Sequence, residues 1–338
     1  MSNRRNIGIL FFTLVVVMMG FGMIIPILPF YVEQFNTGGS TLGLLMATYA
    51  LMQFIFAPVW GRLSDQHGRK PILMLGILGN AMASLLFGLS TQLWMLFAAR
   101  ALAGILSSAT LPTAMAYIGD STSEEDRGGG MGIMGAAMGV GMVIGPGVGG
   151  WLAVKSLSLP FFLAAALSMV ALLLVWWLLP ESLTLEEQAK ATATAVDGSF
   201  KTQFRDMWQA LSGPIAFLLV LAFLLSFGMT NFESVFGLYS LERFNYGPQQ
   251  VGGILMFVGV ISAIVQGGLT GVATRRWGEA AIIKASLLGS AIGFALMLLA
   301  FNMATVLLTV GFFVLSNSML RPAVSSLTSR RATCGQGI

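Results

Sequence analysis

The sequence predicts an all-α protein that crosses a membrane many times, and two observations lead to this fold class. Of the 338 residues, 56% are hydrophobic and only 9% are charged, whereas a soluble domain carries about 25% charged residues. The apolar residues also form runs of about 20, the length that a helix needs to cross the roughly 30 Å hydrocarbon core of a bilayer. These properties exclude a soluble enzyme, a nucleic-acid-binding domain and a disordered chain.

Ten such runs follow one another along the chain, and we call them spans 1 to 10. Because backbone polar groups find no partners in lipid, each span is expected to be a helix. Span 1 is too long for a signal peptide and contains Pro26 and Pro29, so we expect it to be retained. The predicted limits are 7–32, 41–62, 71–90, 93–118, 129–153, 159–179, 213–240, 249–273, 280–300 and 303–328.

The distribution of lysine and arginine predicts which end of each span faces the cytoplasm. If the N-terminus is cytoplasmic, 14 of the 18 Lys and Arg residues fall in cytoplasmic segments, as the positive-inside rule requires. Lys155 and Arg243 are the exceptions in the outer loops, and Arg100 and Arg321 lie inside spans. The net charge of +4 is therefore a topology signal, and no nucleic-acid partner is needed to explain it.

An internal repeat is visible when the sequence is shifted by 210 positions. The shift aligns features of the first half with features of the second: Gly61 with Gly271, Gly68 with Gly278, and Pro112 with Pro322. Two homologous halves are a common plan among transporters. Under this shift the chain ends before any counterpart of spans 5 and 6, so we expect a C-terminally truncated twelve-span protein.

The repeat and the polarity of the chain together predict three parts. Residues 1–180 are expected to form an N-terminal bundle of six spans. Residues 181–212 are the one long polar stretch and are expected to form a cytoplasmic linker. Residues 213–338 are expected to form an incomplete second bundle that contains spans 7 to 10.

The loop after span 2 carries the most specific motif. It has Gly61, Asp65, Gly68 and Arg69 at the spacing of GxLaDrxGrkxxl, and it resembles the signature loop of the major facilitator superfamily. The glycines permit a tight reversal, and Arg69 can pair with a carboxylate at a neighbouring helix end. Asp120, at the end of span 4, is the expected partner, and together these residues form a candidate gating loop.

Span 5 carries a second motif, rich in glycine, which allows helices to approach closely. The pattern is similar to the antiporter signature GxxxxxxxxGxxxGPxxGG of the drug-exporting branch of this superfamily. The matching residues are Gly132, Gly141, Gly145, Pro146, Gly149 and Gly150. Span 4 keeps the arginine and first glycine of another family motif, Arg100 and Gly104.

Taken together, the chain is most similar to multidrug:proton antiporters of the Bmr and NorA type. The resemblance implies the major facilitator fold, with one complete six-helix half and four helices of the second. It also implies a monomer in the bacterial cell membrane that exports lipophilic, often cationic drugs in exchange for protons by alternating access, causing antibiotic resistance. No cofactor is implied, because the proton gradient supplies the energy.

Charged residues inside the spans are the candidates for proton coupling. A charge at mid-bilayer costs about 2.5–3.5 kcal/mol, so a retained one usually faces a cavity or a partner. Glu233 in span 7 is the proposed proton carrier, with Arg100 as a second coupling residue. Relatives often have a further acid in span 10, whereas this chain has Asn317 and Ser318 there.

The substrate cavity is expected to be apolar, lined by methionine and aromatic side chains that suit many lipophilic ligands. Residues that share helix faces or match drug-site positions of relatives make up the candidate lining. They are Met18, Phe21, Ile25, Gln53, Met138, Met142, Phe236 and Arg321.

Other functions stay open or are excluded by missing motifs. A narrower exporter of the tetracycline or chloramphenicol type is one alternative, and an inactive truncated remnant of such a pump is another. No GxxxxGKS or GxxxxGKT phosphate loop is present, which argues against ATP hydrolysis. One histidine and one cysteine exclude a His-rich metal site and an intramolecular disulfide, and no constellation for an intramembrane enzyme is present.

Overall fold

The computed structural model describes residues 2–194 and 216–335, which include ten helices long and apolar enough to cross a membrane, as predicted. The predicted span limits agree with the helix ends to within two turns. All regular structure in the described ranges is helical. The α-helices are Ser2–Gln34, Gly39–His67, Arg69–Gly88, Leu93–Leu106, Thr110–Ser121, Glu124–Ala153, Leu159–Leu178, Leu185–Thr194, Ala216–Phe244, Pro248–Ile264, Thr270–Trp277, Glu279–Met297 and Met303–Gly335.

Spans 4 and 8 are each interrupted by a different kind of turn. Span 4 tightens into a 3₁₀ turn over Ser107–Ala109, next to Pro112, which has no N–H to bond the carbonyl of Ser108. Span 8 widens into a π turn over Val265–Leu269, and the Thr270 hydroxyl donates a 2.8 Å hydrogen bond to the Val265 carbonyl. Two consecutive glycines within the π turn weaken the α-helical alternative.

The contacts divide the chain into two compact units. The first comprises Met1–Asp197 and Tyr246–Met256, and the second comprises Gly198–Asn245 and Phe257–Ile338. In the first unit, span 1 packs on spans 5 and 6, and span 3 packs on spans 4 and 6. In the second unit, span 10 packs on spans 7 and 9. The predicted linker of residues 181–212 between two bundles stays a prediction, since residues 195–215 lie outside the described part.

Part of the polar segment after span 6 forms a short helix, Leu185–Thr194, which contacts span 2. It begins with a capping box, in which the Thr184 N–H donates to Glu187 Oε2 at 2.8 Å and the Glu187 N–H donates to Thr184 Oγ1 at 3.3 Å. Hydrogen bonds from the backbone and the hydroxyl of Thr184 hold the pKa of Glu187 below its ordinary value. The described linker segment is therefore ordered against the first unit.

The internal repeat is also present in the backbone conformation. Gly68 and Gly278 both have positive φ, +95° and +79°, and each separates two consecutive spans. Asn36 and Asn245, which end spans 1 and 7, have φ of 53° and 57°, the left-handed conformation in which asparagine is commonly found. Equivalent corners of the two halves are thus built in the same way.

Candidate functional site

The arginine of the signature loop ties together the ends of spans 2, 3 and 4. Arg69 is 8% exposed, and its Nε donates to Asp120 Oδ2 at 2.8 Å. Its Nη1 donates to Ser64 Oγ at 2.7 Å and forms a salt bridge with Asp65. The structure therefore brings together Asp65, Arg69 and Asp120 of the predicted gating loop. Two carboxylates compensate the buried guanidinium, and such charge-assisted hydrogen bonds are stronger than neutral ones.

Glu181, which is not among the predicted site residues, completes this loop from the end of span 6. Its carboxylate accepts hydrogen bonds from the backbone N–H groups of Arg69 at 2.8 Å and Lys70 at 3.0 Å. These donors belong to the first turn of span 3 and have no partner inside the helix. Glu181 therefore caps span 3 and neutralises the positive end of its dipole. It follows Pro180 directly after span 6, but no local pattern indicates a partner so far away in sequence.

The two glycines of the signature loop differ in their surroundings. A Cβ added to Gly68 would collide with the Glu181 carboxylate, and the φ of +95° is itself unfavourable for side-chain-bearing residues. A Cβ added to Gly61 would meet nothing within 4 Å. Gly68 is thus required by both conformation and contact, whereas Gly61 has neither constraint in this structure.

Three glycines of the span 5 motif form a face against span 1. A Cβ at Gly141 would lie 2.7 Å from the Val15 carbonyl oxygen, and one at Gly145 would lie 2.6 Å from that of Met19. A Cβ at Gly149 would lie 2.9 Å from the Cα of Met23. These distances are too short for real contacts, so the helices approach to the limit that glycine permits.

Another face of span 5 packs against the first turns of span 8, within the first unit. A Cβ at Gly150 would lie 3.0 Å from the Cα of Gly252 and would collide with the carbonyl of Pro248. A Cβ at Gly252 would collide in turn with the Pro146 carbonyl. The motif residue Gly132 has open space instead. Gly252 lies outside the motif, so its role was not visible in the sequence.

Arg100 is buried in the first unit beside aromatic rings. It is 2% exposed, and its guanidinium carbon lies 5.8 Å from the ring centroid of Tyr49 and 5.7 Å from that of Phe87. Its Nη2 contacts Met46 Sδ at 3.7 Å. Among the described residues it forms no salt bridge. Ring faces thus provide the stabilising contacts for this cation.

Most of the predicted cavity lining lies in the first unit. The Phe21 ring is 5.5 Å from that of Tyr49, and Gly104 allows the span 2 backbone to approach, with the Gln53 nitrogen 3.3 Å from a Cβ placed there. Ile25 is buried, whereas Met18, Gln53, Met138 and Met142 are partly buried. These contacts place Phe21 and Gln53 near the Tyr49 ring, which packs against Arg100.

Glu233, Phe236 and Arg321 lie in the second unit. Glu233 is partly exposed, and Arg321 of span 10 interacts with it electrostatically. Phe236 lies about one turn after Glu233 on span 7, and its ring lies 5.0 Å from that of Phe232. Both phenylalanines line an apolar cavity of about 360 Å³ between spans 7 and 9. Phe236 is therefore part of an aromatic cluster that lines this cavity.

No group of three or more potential metal ligands occurs in the part of the chain that the structure describes. The chemistry of the described sites is that of paired charges, aromatic rings and close helix packing. Residues 10–336 match the family model described as "Major Facilitator Superfamily". The chain belongs to the Major Facilitator Superfamily.

Two curated relatives are similar over nearly the whole chain. "Multidrug resistance protein 2" of Bacillus subtilis is 32% identical over 330 residues, 97% of this chain and 82% of the relative. "Tetracycline resistance protein, class C" of Escherichia coli is 32% identical over 334 residues, 98% of this chain and 83% of the relative. The resemblance noted in the sequence motifs is thus confirmed at the level of the family and its drug-resistance members.

A solved structure shows the same fold. A bacterial homologue of the human lysosomal transporter Spinster, in an inward-facing and unoccupied conformation, matches with a TM-score of 0.79 at 15% identity. The match covers 96% of this chain and 75% of that one. Membership of the superfamily identifies the chain as an integral membrane transporter and not an enzyme, as the sequence predicted.

Proposed function

We propose that this Major Facilitator Superfamily protein exports lipophilic, often cationic drugs from the cytoplasm in exchange for protons. The observation that carries the proposal is the 32% identity to "Multidrug resistance protein 2" across 97% of the chain. The span 5 glycines support this proposal, because the motif that they match belongs to the drug-exporting branch of the superfamily. The two glycine faces of this helix pack against spans 1 and 8. Small lipophilic molecules are the substrates, and the proton gradient is the energy source without any cofactor.

Glu233 is the proton carrier in this proposal. It lies in the interior of an apolar span, where a carboxylate is retained only if it has a function or a partner. Protonation from outside and binding of a cationic drug from inside compete for the same carboxylate, which is the simplest form of exchange. Arg100 and Arg321 supply positive charge in their respective units, and the methionine and aromatic residues of the predicted lining bind the drug.

The signature loop and span 5 are the proposed gating elements. The Arg69 network holds the ends of spans 2, 3 and 4 together on the cytoplasmic side. The glycine faces of span 5 hold spans 1 and 8 together near the outer side. Alternating access then consists of loosening one set of contacts while the other closes.

The protein lies in the bacterial cell membrane with a cytoplasmic N-terminus, as the lysine and arginine distribution favours, and acts as a monomer. Its functional division is a bundle of residues 1–180, a linker of residues 181–212 and a second bundle of residues 213–338.

A narrower tetracycline exporter is the second candidate function. It is favoured by the 32% identity to "Tetracycline resistance protein, class C" over 98% of the chain. The buried arginine and aromatic rings around Tyr49 suit an anionic or zwitterionic planar molecule as well as a hydrophobic one. The two candidates differ in substrate, not in energy source.

Efflux of ethidium from energised bacterial cells that express the chain tests the first candidate. We expect efflux that stops on addition of a protonophore and in the Glu233→Gln variant, because both remove proton exchange. Glu242→Gln, at the exposed end of the same helix, is the matched control and should retain efflux. Efflux of tetracycline but not of ethidium would select the second candidate, and efflux of neither would reject both.

A further inference from the structure

The loop between spans 8 and 9 repeats the signature loop with its charges reversed. The shift of 210 positions that aligns Gly68 with Gly278 also aligns the charged residues of the Arg69 network with residues of opposite charge. Asp65, Arg69 and Asp120 correspond to Arg275, Glu279 and Arg330. The internal repeat therefore keeps a charge at each of these positions but exchanges cations for anions.

The backbone places these charges at equivalent corners of the two loops. Gly278, with φ of +79°, separates spans 8 and 9. Glu279 is the first residue of span 9, which is the position that Arg69 has in span 3. Arg275 lies in the last turn of span 8, and its Nε donates to the Gly271 carbonyl at 3.0 Å. The similarity between the two loops therefore includes both their charged positions and their turn.

The Glu279 side chain contacts span 10. Its Oε1 accepts a 2.6 Å hydrogen bond from Ser326 Oγ, a length typical of a hydroxyl bound to an ionised carboxylate. Arg330 lies four residues after Ser326 in the same helix, so it is on the same face and about 6 Å further along the axis. This distance is comparable to the length of an arginine side chain. Glu279 and Arg330 are also 51 residues apart, the same separation as in the cross-span ion pair of the first unit.

We infer that Glu279 and Arg330 form an ion pair of reversed polarity, which joins the ends of spans 9 and 10 in the second unit. The loops after spans 2 and 8 both follow an even-numbered span, so the proposed topology places both on the cytoplasmic side. Glu279 and Arg330 are positioning residues, because they hold two span ends together during gating and contact no substrate. The gating role rests on the proposed function, whereas the ion pair does not.

Helix dipoles give a different explanation of the same two charges. An acidic residue at the start of one helix and a basic residue near the end of another are each favoured without any contact between them. The hydrogen bond from Ser326 favours the ion pair, because it places the Glu279 carboxylate against span 10. The two explanations differ when both charges are reversed, since the pair is then restored while both dipoles are opposed.

Charge reversal in the full chain tests the ion pair. Glu279→Arg and Arg330→Glu each bring like charges together and are expected to lower the melting temperature in detergent by several degrees. The double variant, with both changes, restores the attraction and is expected to regain most of this loss. Arg331→Glu makes the same change one residue later and is the matched control, which should alter the melting temperature little. A double variant whose loss equals the sum of the two single losses would overturn the ion pair.

Cysteine cross-linking tests proximity even if a charge variant fails to fold. In a Cys334→Ser background, Glu279→Cys combined with Arg330→Cys is expected to react with a short bis-maleimide to give an intramolecular cross-link. Glu279→Cys combined with Ala332→Cys is the control, because residue 332 lies on the opposite face of the span 10 helix. Equal cross-linking of the two pairs, or cross-linking of neither, would overturn the inference.

Ethidium efflux from energised cells tests the gating role. Efflux is expected to fall in each single reversal and to return in the double variant. A double variant that regains its melting temperature but not its efflux would overturn the role in gating. If the unmodified chain exports no substrate, the proposed function and the gating role are both overturned. Melting and cross-linking do not depend on transport, so they still decide whether the ion pair exists.

Discussion

Gly61 and Gly68 stand at two defined positions of one motif, yet their backbones differ. Gly68 has φ of 95° and ψ of 154°, a region of conformational space occupied essentially by glycine alone. Gly61 is helical and has open space around its Cα. The motif therefore contains one glycine that the fold needs and one that this structure does not require.

Replacing Gly68 by alanine is expected to destabilise the first unit. The unfavourable backbone region costs about 1–3 kcal/mol, and the added methyl group displaces the Glu181 carboxylate from the start of span 3. Gly61→Ala is the matched control and should be neutral or stabilising, since alanine favours a helix over glycine by about 1 kcal/mol. Thermal unfolding of both variants in detergent measures the difference. Equal melting temperatures for the two variants would contradict the role assigned to Gly68.

A contact between two residues could be predicted from the sequence only where both residues lie at the ends of predicted helices. Arg69 lies at the start of span 3 and Asp120 at the end of span 4. The predicted topology places both of these helix ends on the cytoplasmic side of the membrane, so their contact could be anticipated. Glu181 could not be anticipated in the same way, because its partners are backbone N–H groups, which every residue except proline has. The ring contacts of Arg100 were missed for a similar reason, since many aromatic residues were available.

At the scale of the element, span 5 is a helix with two glycine faces. One face contacts span 1 and the other contacts span 8, while the remaining surface exposes Ile133, Val140, Ile144 and Trp151. Contacts between backbones leave no side chain that can adjust to a substitution. Stability therefore depends on glycine at specific positions of both partners in each contact.

Gly252 and Gly253 offer a direct comparison on span 8. Gly252→Leu is expected to force span 8 away from the Pro146 carbonyl and so to lower both the melting temperature and drug efflux. Gly253 is exposed and has no atoms near its Cβ position, so Gly253→Leu should change neither. The two variants add the same side chain one residue apart, which controls for hydrophobicity. Loss of efflux in both to the same degree would show that the close contact is not the cause.

The interruptions of spans 4 and 8 were not predicted from hydropathy. Hydropathy reports which residues tolerate lipid, and it carries no information about whether a backbone N–H bonds the third, fourth or fifth preceding carbonyl. Pro112 and the pair Gly267 and Gly268 were visible in the sequence. They showed where a helix was weak, but not whether the turn would tighten or widen.

On the scale of the whole molecule, the lipid environment explains why the ten spans were predictable. Each span must satisfy its backbone hydrogen bonds internally, so its length and apolar composition are enough to identify it. Exposed tryptophans near the span ends agree with an interfacial position. They are Trp94, Trp151, Trp176, Trp177 and Trp277. Packing between spans was less predictable, because similar apolar residues face both protein and lipid.

The proposed orientation is tested by labelling single cysteines from outside the cell. In a Cys334→Ser background, which removes the one cysteine of the chain, Ser156→Cys lies in the exposed loop between spans 5 and 6. It should react with a membrane-impermeant maleimide in intact cells. Ala193→Cys, exposed on the helix after span 6, should react only after the membrane is permeabilised. The reverse labelling pattern would show that the N-terminus faces the outside of the cell and would contradict the proposed orientation.

The bond between Glu181 and Arg69 also has a consequence for biosynthesis. The two residues are 112 positions apart, so span 3 enters the membrane long before the carboxylate that caps its first turn has been translated. At about 5–20 residues per second, the interval is on the order of ten seconds. During that time the first turn of span 3 lacks the carboxylate that accepts its backbone N–H groups. The first bundle therefore closes only when span 6 leaves the ribosome.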